Sequence, residues 1–147
     1  NIKMREQIRE EKGGTYGAYA SGRPSKFPIP TYRIDIGFGT NPDRVDELLS
    51  TLTELLKDLQ SNKVDDTYIQ KVKEIQKRQF EVNQKENRFW LRQISDCLYN
   101  GDELSSILNY DKLVEKISAD MVLKAAKKYF NWDNYAQFVL YPENYKQ

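Results

Sequence analysis

Histidine is absent from the 147-residue chain, and cysteine occurs once, at Cys97. Without histidine, Ser-His-Asp and Cys-His catalysis are excluded, and a zinc ion would find one thiol and carboxylates where such sites draw on several His or Cys ligands. A lone cysteine excludes an internal disulfide framework, and its place in an apolar stretch reads as a small core residue. No run of about 18 apolar residues exists to span a membrane. No charged-then-apolar segment at the amino end resembles a secretory signal. Net charge is also nearly absent, since 23 Lys+Arg oppose 22 Asp+Glu. If the chain belongs to an enzyme, these absences place the reacting groups in another part of it.

What is present is enough for a core. At roughly 150 residues a chain buries about 68–70% of its unfolded surface and needs no disulfide or metal to hold it. The chain starts at Asn1, inside a charged helical pattern, so a mature product or a piece of a longer protein is expected. Met4 and Ile8 lie four apart in a helix tail that Gly13-Gly14 ends by supplying positive φ. Period-two alternation over Thr15 to Ser21 and over Thr31 to Gly39 predicts two antiparallel strands. The latter strand directs Tyr32, Ile34, Ile36 and Phe38 to one buried face. Between the strands, Pro24, Pro28 and Pro30 predict a wide loop over 22–30.

Asn41 as N-cap and Pro42 at the first helical position open a helix in which Val45, Leu48, Leu49, Leu52, Leu55, Leu56 and Leu59 recur at steps of three and four. A further helix starts near Asp65-Asp66, with Ile69, Val72, Ile75 and Phe80 on its buried side. The polar stretch Asn83 to Asn87 interrupts that stripe, and Phe89, Trp90, Ile94, Cys97 and Leu98 resume it, so a broken pair of helices ending at Asn100-Gly101 is expected. A short helix around Leu113 to Ile117, a helix capped by Ser118, and a last strand over Tyr135 to Leu140 complete the order. The expected fold is α+β, one domain over residues 1–147, with helices packed on one face of an antiparallel sheet. Three strands leave a free edge, which suggests that further strands precede them in a longer parent.

Few residues stand out chemically. Between Lys71 and Arg92 basic residues outnumber acidic ones, but Glu74, Glu81 and Glu86 are interspersed at intrahelical pairing distances. A solvated helix face is therefore expected rather than a nucleic-acid site. Glu10-Glu11 and Asp65-Asp66 are adjacent and point apart on a helix, which suits solubility and capping better than shared acid–base work. Tyr16 follows Arg9 by seven residues across a helix end and a Gly-Gly turn. A guanidinium and a phenol both donate hydrogen bonds, so the pair suits a peptide carbonyl or a developing oxyanion. From spacing alone, an Arg–carboxylate pair and a packed tyrosine ring remain the simpler reading.

The segment Ile8-Arg9-Glu10-Glu11-Lys12-Gly13-Gly14-Thr15-Tyr16 resembles the R-E-x-x-G-x-x-Y segment in the carboxy-terminal half of pitrilysin/insulinase-type zinc peptidases. Glu86-Asn87-Arg88-Phe89-Trp90-Leu91 is similar to the N-x-F-W-L of bacterial members, and Leu140-Tyr141-Pro142-Glu143 fits the family's ending. The resemblance implies a peptidase-type metallohydrolase domain that lacks its amino-terminal strands and carries no zinc of its own. Zinc, held by an inverted His-x-x-Glu-His motif, and the general base would lie in a partner catalytic domain of the same protein or of another subunit. This metal-free domain would close the chamber around a peptide substrate. Carried over by position, Arg9 would bind substrate backbone and Tyr16 would donate to the scissile carbonyl oxygen. The competing implication is a purely structural or interaction domain of the same fold. The likeness to bacterial members is compatible with an exported, periplasmic parent.

Overall fold

A computed structural model describes residues 1–11, 13 and 15–145, without the side chains of Arg9, Glu10, Glu11 and Tyr16. The chain packs as two compact units. Unit 1 holds residues 1–24, 32–62 and 123–147, and unit 2 holds residues 25–31 and 63–122.

In unit 1, helix α1 (Ile2–Met4) runs into a π-helical segment, Arg5–Glu11. Strands β1 (Thr15–Ser25) and β2 (Thr31–Thr40) pair as a two-stranded antiparallel sheet. β1 is longer than its alternation suggests and takes in Pro24, which shortens the expected loop. Alternation places Ala18 and Ala20 of β1, and Ile36 and Phe38 of β2, against one helical layer. That layer consists of Met4 and Ile8 with Leu48, Leu52, Leu55 and Leu59 of α2 (Val45–Ser61). Ile8 and Leu48 have no solvent exposure, and full burial of such a side chain contributes about 1.5–3 kcal/mol. Tyr32 departs from the expected buried face. It is exposed and packs edge-on against Tyr129 at 4.8 Å, because β2 begins beyond the edge of the leucine layer. Gly37 has a steric role, since a Cβ there would come within 2.7 Å of the Tyr19 ring on the neighbouring strand.

The start of α2 follows its sequence signals. Asn41 Oδ1 accepts from the Asp43 amide at 3.1 Å, and a 3₁₀ turn, Pro42–Arg44, leads into the helix. Its far end fixes the returning chain. Gln60 Nε2 donates to the carbonyls of Ala126 at 3.3 Å and Phe130 at 2.7 Å, while Trp132 Nε1 donates to Gln60 Oε1 at 2.6 Å. The Tyr145 hydroxyl donates to Asp43 Oδ1 at 3.1 Å.

The expected strand over Tyr135 to Leu140 is not formed. That segment is irregular, with Phe138 91% and Leu140 98% exposed. Alternation supplies side-chain order, but a strand also needs a ladder partner, and β1 and β2 pair only with each other among the described residues.

Unit 2 contains α3 (Asp66–Asn83), α4 (Asn87–Asn100), α5 (Ser105–Leu108), α6 (Tyr110–Glu115) and the start of α7 (Ala119–Tyr129). Asp65 Oδ1 accepts from the Thr67 amide at 2.8 Å and caps α3. The expected break falls between α3 and α4, where Trp90 Nε1 donates to the Gln84 carbonyl at 2.8 Å. Ile69, Phe80, Cys97, Ile107 and Val114 are buried. Ile75 and Leu98, expected inside, are 57% and 68% exposed, because each helix buries only the stripe that meets a neighbour. The basic face also differs in detail. Lys73 and Lys77 pair with Glu115 of α6 instead of with glutamates on their own helix, while Lys71, Arg78, Lys85, Arg88 and Arg92 are exposed. No helix among the described residues is long and apolar enough to cross a membrane.

Candidate functional site

The site expected from sequence lies where the first helix ends and β1 begins. The helix is anchored by Met4 and Ile8, both buried in the unit 1 core, so its carboxyl end is held against the sheet that starts with β1. The backbone of Arg9 lies in the π-helical segment, and that of Tyr16 is the second residue of β1. Their side chains fall outside the described residues, so no distance joins the guanidinium to the phenol. Between them, Gly13 has φ +57°, the left-handed conformation that glycine adopts without a Cβ penalty. Gly14, the other half of the expected turn, lies outside the described residues.

Neighbouring polar groups brace the start of the strand. The Thr15 hydroxyl donates to the Gly17 carbonyl at 2.8 Å and accepts from the Gly17 amide at 3.0 Å. Asn1 treats β1 as a sheet partner would: its Nδ2 donates to the Ala20 carbonyl at 2.8 Å, and its Oδ1 accepts from the Ala20 amide at 2.7 Å.

The described residues do not fit a zinc site. Cys97 is buried in unit 2, with its Sγ 3.8 Å from the Ser106 hydroxyl. No group of three or more His, Cys, Asp or Glu among the described residues could hold a metal ion. Sequence reasoning attends to charges between Lys71 and Arg92 and passes over the carboxamides among them. Gln76, Gln79 and Asn83, spaced i, i+3 and i+7, line a groove in unit 2. That periodic placement on one helix face was the available signal.

Together these features define a helix-backed α+β domain with a short sheet and a glycine-bearing helix-to-strand turn. The family profile described as "Peptidase M16 inactive domain" matches residues 2–76, just over half the chain, and the chain belongs to that family. It is thus a non-catalytic domain of the pitrilysin/insulinase-type metallopeptidase family, as the motif around Arg9 and Tyr16 implies. No curated protein matches the sequence significantly. Two solved structures share the fold. A protease from Helicobacter pylori superposes with TM-score 0.73 at 18% identity, over 88% of this chain and 30% of its own. The periplasmic protease PqqL from Escherichia coli gives 0.69 at 19% identity, over 88% of this chain and 14% of its own. The chain thus spans less than a third of either structure.

Proposed function

We propose that residues 1–147 form the carboxy-terminal, substrate-positioning portion of a zinc-dependent metalloendopeptidase and close its peptide chamber. Zinc and the general base belong to a histidine-containing catalytic domain of the same protein or of a partner subunit. The observation that carries the reading is the inactive-domain match, whose residues 2–76 include both Arg9 and Tyr16. In support, both residues flank one short helix-to-strand turn on a helix fixed by Met4 and Ile8. From there Arg9 holds the substrate backbone, and the Tyr16 hydroxyl donates to the scissile carbonyl oxygen as negative charge develops on it.

The burial of Ile8 and Met4 also favours a second reading, in which the same helix serves packing alone and the domain is a scaffold. The test uses the full-length parent or a reconstituted complex, because the 147-residue chain alone is expected to show no chelator-sensitive peptidase activity. Tyr16→Phe keeps the ring and removes the donor. Its kcat should fall by up to about 10²–10³ if the hydroxyl matches a typical oxyanion donor. Arg9→Ala should act chiefly by raising KM. Both variants need melting curves that match the parent. Equal single-turnover rates for parent and Tyr16→Phe would leave the scaffold reading in place.

A further inference from the structure

Unit 2 contains a groove of about 440 Å³ between α3, α4 and the α5–α6 segment. Its floor is apolar. Buried Phe80, Cys97 and Ile107 lie there, and the Phe80 ring stacks on Tyr110 at 4.7 Å. Its walls are carboxamides, with Gln76, Gln79 and Asn83 on α3 facing Gln93 and Asn100 on α4. No Lys or Arg lines the groove, and its ionisable carboxyl groups are Asp96 and Asp102.

The carboxamides are only partly used within the protein. Gln79 Nε2 donates to Asn83 Oδ1 at 2.8 Å, and the Tyr110 hydroxyl donates to Gln76 Oε1. The half-buried carboxamides of Gln93 and Asn100 have no side-chain hydrogen bond to another described residue. A carboxamide offers the same donor and acceptor pair as a peptide group. This protein already uses that match, where the Asn1 carboxamide makes both of its bonds to the backbone of Ala20.

Spacing supports the same occupant. Gln76 to Asn83 and Gln93 to Asn100 are each seven residues apart, an advance of about 10 Å along a helix. About three residues of extended peptide cover that length. We propose that the groove binds an extended, uncharged or basic peptide segment through its backbone, with alternate side chains directed onto the Phe80–Tyr110 floor. Asp96 faces Arg92 at 3.7 Å and Asp102 faces Lys26 at 3.9 Å, so the two carboxylates bias the groove only modestly against acidic segments, and the absence of cations in the lining itself disfavours phosphorylated ligands. Oligosaccharides also use carboxamides, but they stack on fully open rings, whereas here Phe80 is only 8% exposed and Phe89 and Tyr110 are half-buried. The proposal stands whether or not Arg9 and Tyr16 act on substrate.

Fluorescence anisotropy with a labelled octapeptide of Ala, Ser and Gln, titrated with the 147-residue chain, tests it. Saturable binding below about 1 mM is expected. Replacing Gln93 and Asn100 together by Ala should weaken it about tenfold, the loss of one to two modest hydrogen bonds. Gln93→Met, which retains length and helix propensity, serves as a second variant should the double one fail to fold. N-methylation of alternate backbone amides in the peptide should weaken binding at least as much, and Asp in place of Ser should weaken it further. Lack of saturation, equal affinity for the N-methylated peptide, or unchanged affinity in folded groove variants would each overturn the proposal. Saturable binding of a neutral hexasaccharide with none of the peptide would also overturn it and assign the groove to sugars.

Discussion

Units 1 and 2 solve the problem of burial differently. Unit 1 lays a leucine-rich helix and the first helix over one face of a sheet, and this layer removes Ile8 and Leu48 from solvent completely. Unit 2 buries its apolar side chains between helices. Its buried residues retain a few per cent exposure, while Leu91, Leu98 and Leu108 remain about 70% exposed. A sheet gives a helix a broad surface, so one apolar stripe suffices. Short helices such as α5 and α6 cover only part of α4, and that incomplete cover leaves a groove on one side and bare leucines on another. The family profile does not follow this division, since residues 2–76 run into α3 of unit 2 and leave out residues 123–147 of unit 1, whereas the fold likeness to the two proteases extends over 88% of the chain.

Matched core truncations probe this contrast most strongly. Phe80→Ala removes a buried ring packed against Phe89 and Tyr110 and should cost about 3–5 kcal/mol in unit 2. Leu48→Ala should cost about 2–5 kcal/mol in unit 1. Hydrogen exchange during urea titration should locate each loss in its own unit. Identical loss of protection across both units for either variant would show that they unfold as one.

Gln60→Ala is a smaller and more local perturbation. It removes the partner of the Trp132 indole and of the Phe130 carbonyl, while the Ala126 carbonyl keeps its bond from the Phe130 amide at 3.1 Å, a loss of about 1–3 kcal/mol. Trp132 emission should shift to the red before global unfolding, and an unchanged spectrum would mean that the returning chain is held by other contacts.

Acid pH gives the weakest discrimination. Asp58 is held below its ordinary pKa by hydrogen bonds from Asn62 and Lys3, and Glu115 by Lys77 and Lys73. A carboxylate with a depressed folded pKa contributes stability that is fully present above its unfolded value and is lost as pH falls through the folded one. Both pairs are solvent-screened, so their contributions are far below those of the core. Asp58→Asn should flatten the acid limb of the melting profile in unit 1, and Glu115→Gln should do so in unit 2. Equal acid slopes in the parent and both variants would remove these pairs from the account.

Local chemistry explains which elements were legible. Asn41, Pro42 and the leucine stripe specified α2 because capping and 3.6-residue periodicity act within one segment. Asp65 and the polar stretch from Asn83 to Asn87 likewise marked the start of α3 and its separation from α4. The residues Arg9 and Tyr16 were legible as a motif, since residue type and spacing lie in the sequence itself. Tyr135 to Leu140 shows the limit. Its alternation is real, yet strand formation depends on hydrogen-bond partners that no local pattern supplies. Ile75 and Leu98 make the same point for helices, where hydropathy marks a side chain that prefers burial but not the neighbour that would bury it. The sequence by itself determined the starts of α2 and α3, the break before α4, the paired strands, the absence of histidine chemistry and the family motif, but not α5 or the bounds of α6, which runs over Tyr110–Glu115 rather than from Leu113 to Ile117. Only the tertiary structure decided which apolar faces were covered, that Lys73 and Lys77 reach Glu115, and that carboxamides from α3 and α4 face one groove. Those outcomes depend on the packing of residues distant in sequence.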